Sequence, residues 1–133
     1  MEPVGSVTAE VPFGWRTDRA DTEMRFTDTV KTNLSVGVGD DKLTSEEYIR
    51  DATTKVNKTG YQEIRRTGQL LDPVKNKPYA ELEYTITTSR GTTHAILRVY
   101  GRWALVSLDA PESQFDSVKP IFQHAVDTLT WTS

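Results

Sequence analysis

Two histidines, 19 acidic and 16 basic side chains are the first candidates for acid–base or ligand chemistry in this 133-residue chain, which contains no cysteine. That excludes a disulfide scaffold, a thiolate zinc site, an iron–sulfur cluster and a cysteine nucleophile. His94 opens an alternating segment on the face of Ile96, opposite Ala95, Leu97 and Val99. It reads in two ways. One is a partly exposed strand-end imidazole. The other is a divalent-metal ligand assisted by Asp109 or Glu112, at the start of the last helix. One imidazole with one or two carboxylates makes a weak, water-completed site, not a structural zinc centre. His124 falls off the apolar stripe of its helix and reads as a solvated surface residue.

Other catalytic patterns are missing from the sequence. There is no G-x-S-x-G, no P-loop and no G-x-G-x-x-G; Gly37-Val38-Gly39 lacks the third glycine. Asp40 and Asp41 lack the spaced oxygen ligands of a calcium loop. The sequence therefore predicts a protein that is not an enzyme and requires no cofactor.

Charge is unevenly spread. Residues 1–54 hold six basic and eleven acidic side chains. Residues 55–77 reverse the balance, with Lys55, Lys58, Arg65, Arg66, Lys75 and Lys77 against Glu63 and Asp72. Residues 78–133 return to four basic and six acidic. The basic stretch reads either as protection of a sheet edge or as a docking face for an acidic partner. The overall net charge of −3 argues against nonspecific nucleic-acid binding.

The elements that must position these groups are legible from periodicity. Short strands are predicted over Val7–Pro12, Trp15–Asp18 and Glu23–Thr29, and a stronger one over Thr32–Val38. A helix follows, with Thr44 as N-cap, Glu47 at the capping-box position, a stripe of Tyr48, Ile49, Ala52 and Val56, and Gly60 as its stop. Gln62–Gln69 reads as a polar edge strand, and Leu71–Pro78 as a turn. Ala80–Thr88, Thr93–Tyr100 and Trp103–Asp109 read as an antiparallel meander. Val118, Ile121, Phe122, Ala125, Val126 and Leu129 give the strongest helical period, with Pro120 placing the helix start near Asp116 or Ser117. Pro111–Phe115 would then be a separate turn. The sum is one domain over residues 1–133 with a core of about 7–130: α+β, with helices covering both faces of an antiparallel sheet. No run of about 18 apolar residues is present to span a membrane, and residues 1–11 have no signal-peptide pattern.

In this order the segments resemble a known family. Gly14-Trp15 after Pro12, Arg25-Phe26-Thr27-Asp28 and Asn33-Leu34-Ser35-Val36 look like the first half of a PsbP domain. Tyr79-Ala80-Glu81-Leu82-Glu83-Tyr84, Thr93-His94-Ala95-Ile96 and Ala110-Pro111-Glu112-Ser113-Gln114-Phe115 resemble its second half. The resemblance implies the α/β/α sandwich shared by PsbP and Mog-type Ran-binding proteins. It implies a non-catalytic, monomeric protein of the thylakoid lumen, peripheral to the membrane. Such a protein would bind photosystem subunits or assembly factors, most often of photosystem II and its oxygen-evolving complex. It implies a weak divalent metal (manganese, zinc or calcium) at His94 and Glu112. Docking would fall to Lys55, Lys58, Arg65, Arg66, Lys75 and Lys77. A Mog-type GTPase-binding module and a bacterial lipoprotein domain of the same fold remain as alternatives.

Overall fold

The computed structural model describes residues 7–12, 14–19, 23–27, 32–37, 60–100 and 104–131. The strands are β1 (Val7–Thr8), β2 (Arg16–Arg19), β3 (Glu23–Thr27), β4 (Asn33–Gly37), β5 (Tyr61–Asp72), β6 (Lys77–Thr88), β7 (Gly91–Val99), β8 (Leu105–Pro111) and β9 (Thr130–Trp131). One helix, α1, spans Glu112–Thr128. The expected helix after Thr44, with Lys55 and Lys58, lies outside the described residues.

β2 to β8 form one antiparallel sheet in the order β2-β3-β4-β8-β7-β6-β5. β6 through β8 make the meander that alternation predicts, and β5, the expected polar edge strand, extends it at the edge. Residues facing each other across an antiparallel pair share a face. Met24, Phe26, Leu34, Val36, Val106, Leu108 and Ile96 therefore form one apolar surface, and Phe115, Phe122, Ala125 and Val126 of α1 pack on it. On the other face Ala80, Leu82, Val99 and Leu105 form a second buried cluster.

Two expectations are corrected. α1 begins at Glu112, four residues before Asp116, so Pro111–Phe115 is not a separate turn. β8 runs to Pro111, which takes the N-cap position, and the helix continues through Pro120. An interior proline costs about 3 kcal/mol. The longer helix offsets this by delivering Phe115 to the core, where it is 1% exposed; full burial of such a side chain contributes about 1.5–3 kcal/mol. Pro120 and Asp116 both lie on the exposed side, where water reaches the helix backbone.

The second correction concerns the β5–β6 hairpin. The expected turn over Leu71–Pro78 shrinks to residues 73–76. Asp72 accepts the Val74 and Lys75 amides at 2.9 and 3.1 Å, and Asn76 adopts φ 55°. An Asp-led turn ending in a left-handed Asn is compact, so the strands extend to meet it. At the other end of β5, Gly60 has φ 80°, and a Cβ there would lie 2.1 Å from the Thr87 carbonyl oxygen. Only glycine lets the two backbones approach this closely.

Candidate functional site

His94 is buried, at 8% exposure, where β7 passes under the first turn of α1. Its ring stacks on Phe115 with centroids 3.6 Å apart and planes 4° from parallel. Nδ1 lies 2.9 Å from Glu112 Oε2, and Nε2 lies 2.7 Å from Glu83 Oε2. Carboxylate oxygens only accept, so a ring nitrogen that carries a proton donates to the carboxylate beside it, and the imidazole stands between Glu83 of β6 and Glu112 of α1. Glu112 in the first helical turn also suits the positive end of the helix dipole. The pair expected from sequence, His94 and Glu112, is thus brought into direct contact. Each ring nitrogen is at hydrogen-bond distance from a carboxylate, and among the described residues no group of three His, Asp or Glu is arranged to hold a metal. As they stand, the two contacts make a hydrogen-bonded clasp joining β6, β7 and α1.

The charges continue across the sheet. Arg65 on β5 meets Glu81 at 2.6 Å and Glu83 at 3.9 Å. Arg98 on β7 donates to Glu81 at 2.7 Å and to the Tyr100 hydroxyl at 3.2 Å. Tyr100, fully buried, donates to Asp72 at 2.7 Å. Arg98 also lies over the Tyr79 ring, 4.2 Å from its centroid. Burial opposes ionisation of Asp72, but the Tyr100 hydroxyl, the Lys75 and Val74 amides and the Lys75 charge outweigh it, and its pKa falls below the usual aspartate value. Burial, reinforced by Asp72, keeps the Tyr100 hydroxyl protonated well above the usual phenol range.

Alternation alone assigns Glu81 to a polar, solvated face; the structure buries it at 5% exposure. The difference arises because Arg65 and Arg98 flank it from the two neighbouring strands, and a buried carboxylate so paired is tolerated. Three members of the basic stretch have partners within the fold. Arg65 serves Glu81, and Lys75 donates from the β5–β6 turn to the Leu129 carbonyl oxygen at 3.0 Å. Lys75 thereby supplies the cation that the last turn of α1 lacks in its own sequence. Lys77 sits opposite Asp72 in register and is also partnered. Arg66 lies opposite Leu82 on the edge strand. His124, 61% exposed, meets Glu10 at 2.9 Å at the surface.

A cavity of about 630 Å³ opens beside Glu112, where the β6–β7 turn meets the junction of β8 and α1. Asn33, Arg90, Thr93, Asp109, Glu112 and Ser113 are among its walls. Burial pushes the Asp109 carboxyl up from the usual aspartate value, against the Asn33 hydrogen bond and the Arg25 charge. Burial, with the charge of Asp109 added, also raises Tyr84. From sequence, Asp109 is expected as a carboxylate assisting His94. Its side chain instead points to the opposite face, as the register Asn33↔Asp109↔Ala95 requires.

A seven-stranded antiparallel sheet carrying a C-terminal helix on one face is a PsbP-like fold. The chain belongs to the family of serine/threonine kinase C-terminal domains, whose model matches residues 7–131. Solved structures share the fold at low identity. The solution structure of cyanobacterial PsbP (CyanoP) from Synechocystis sp. PCC 6803 is 17% identical with TM-score 0.58, covering 98% of this chain and 95% of that one. LpqN, involved in cell envelope biogenesis of Mycobacterium tuberculosis, is 11% identical with TM-score 0.59, covering 96% and 83%. PA94 of Pseudomonas aeruginosa, a protein of unknown function, is 10% identical with TM-score 0.61, covering 97% and 99%. No curated protein matches the chain in sequence.

Proposed function

We propose that this chain is a non-catalytic recognition domain that serves a serine/threonine kinase, binding a partner or ligand while phosphoryl transfer is carried out elsewhere. The carrying observation is the family match over residues 7–131, which takes in every described element from β1 to β9. A surface suited to a protein partner supports it. The large apolar side chains exposed among the described residues, Ile64, Leu70, Leu71 and Val74, all fall on β5 and its turn. Clustered exposed apolar groups mark interaction sites. The test is an antibody to this chain applied to source cells. The reading expects a polypeptide large enough to hold a kinase domain as well, co-precipitating ATP-dependent phosphorylation, with the isolated chain transferring no phosphate. A polypeptide of only 15.0 kDa with no co-precipitating kinase activity sinks it.

The photosystem reading, with its lumenal setting and its weak metal, is supported by the fold shared with CyanoP. The bacterial-lipoprotein alternative has equivalent support from LpqN. Salt-sensitive capture of photosystem subunits from solubilised thylakoids by this chain would move the assignment to the first.

A further inference from the structure

The geometry points to the cavity at the β8–α1 junction as a binding site for a small molecule bearing a primary ammonium group, held by Asp109 with the ligand's other end toward Arg90. A volume of about 630 Å³ is in the range of small-ligand sites. The carboxylate in its wall is held ready. The Thr27 hydroxyl donates to Asn33 Oδ1 at 2.8 Å, which turns the Asn33 amide N–H toward Asp109 Oδ1, 2.9 Å away. That neutral donor orients Asp109 but does not neutralise it, and among the described residues no cation lies within ion-pair distance of it. The elements around it offer Arg25 across β4 and β3, which acts at a distance, and Tyr84 across β7. A half-buried carboxylate without a paired cation loses solvation and gains little in return. An ammonium entering the cavity supplies the missing charge and up to three N–H donors.

The positive features of the same cavity shape the rest of the ligand. The Arg90 guanidinium, in the exposed β6–β7 turn, makes no ion pair or side-chain hydrogen bond among the described residues. It stands five residues before Ala95, which faces Asp109, so its backbone lies roughly 17 Å along β7 from Asp109, a span that the arginine side chain and a ligand share. A ligand with an anionic far end several bonds from its ammonium suits both groups, and a diamine suits neither Arg90 nor the positive helix end. Glu112, in the same wall, has its Oε2 engaged by His94 and is the more exposed carboxylate of the two. This inference stands independently of the kinase reading, because binding is read on the chain alone.

The test is calorimetric titration of the full chain with γ-aminobutyrate, butylamine, putrescine and butyrate, alongside a lysine-containing peptide. Expected are binding of butylamine, tighter binding of γ-aminobutyrate, weaker binding of putrescine and none of butyrate. Asp109→Asn, checked for an unchanged circular dichroism spectrum, is expected to weaken both amines by about tenfold or more. Arg90→Ala, an exposed change that leaves the fold alone, should reduce γ-aminobutyrate to the level of butylamine. Equal binding by wild type and Asp109→Asn, butyrate binding in place of the amines, or no binding of any amine at millimolar concentration overturns the assignment. Binding of the peptide alone overturns the small-molecule source and gives the ammonium to a protein lysine.

Discussion

Asp72 and Asp109 are aspartates at strand positions of one sheet, and their surroundings drive them in opposite directions. Asp72 receives Tyr100, two turn amides and the Lys75 charge, and its carboxyl is held ionised. Asp109 has one neutral amide and a distant arginine, and burial wins. The β5–β6–β7 side of the molecule is a closed circuit of charges. The β4–β8 side is an open one beside a cavity. Burial alone does not distinguish structural from receptive carboxylates; the number of donors within reach does.

The contrast is broken most severely at Glu81, which two arginines share. Glu81→Ala should cost about 3 kcal/mol, since it leaves the buried Arg98 with only the more distant Asp72, at 3.9 Å, as a counter-charge. Urea denaturation measures it, and a loss below about 1 kcal/mol would show that the closed circuit is not holding the meander. Tyr100→Phe removes the hydroxyl between Arg98 and Asp72, for an expected loss of about 1–3 kcal/mol. It should also narrow acid tolerance. A lowered carboxyl contributes stability that is present above its ordinary value of 3.8 and is lost as pH falls through the lowered value. Without Tyr100 that loss should occur at higher pH, which acid titration of the tryptophan fluorescence would detect. Lys75→Met leaves the Leu129 carbonyl without its cation, with about 0.3–1 kcal/mol expected from the thermal midpoint.

Asp109→Asn should have the smallest effect and the reverse sign. In the ligand-free chain it is expected to be neutral or slightly stabilising. Its pH signature is opposite to that of Asp72. The stability linked to a raised carboxyl is complete below 3.8 and is lost as pH rises through the raised value, so the substitution should flatten that decline. A pronounced destabilisation at neutral pH would place Asp109 in the closed class and erase the comparison.

The difference between the two regions is also a difference in legibility. The meander, the edge position of β5 and the amphipathic character of α1 follow from local period, and the structure matches them. The juxtaposition of His94 with Glu112 is legible because an antiparallel hairpin brings the first half of β7 beside the end of β8, where α1 begins. The Arg65–Glu81–Arg98 circuit is not. Its members read as ordinary polar positions on separate strands, 16 and 17 residues apart, and only cross-strand register brings them together. The start of α1 is not legible locally, because the cost of Pro120 points to a later start and only the burial of Phe115 in the assembled core offsets it. Asp109 is near His94 in the meander and so reads as its partner, yet strand parity puts the two side chains on opposite faces of the sheet.

The pairing of β1 with β9 has a mechanical consequence. Val7 faces Trp131 and Thr8 faces Thr130, so the two ends of the domain leave side by side. Tension applied between those ends would peel this two-residue ladder one pair at a time, without shearing the seven-stranded sheet behind it. The domain would hang from neighbouring polypeptide like a pendant on a single hook. Its first yielding point under load would be the hook, with Glu10 and its bonds to His124 and Thr128 as the next catch.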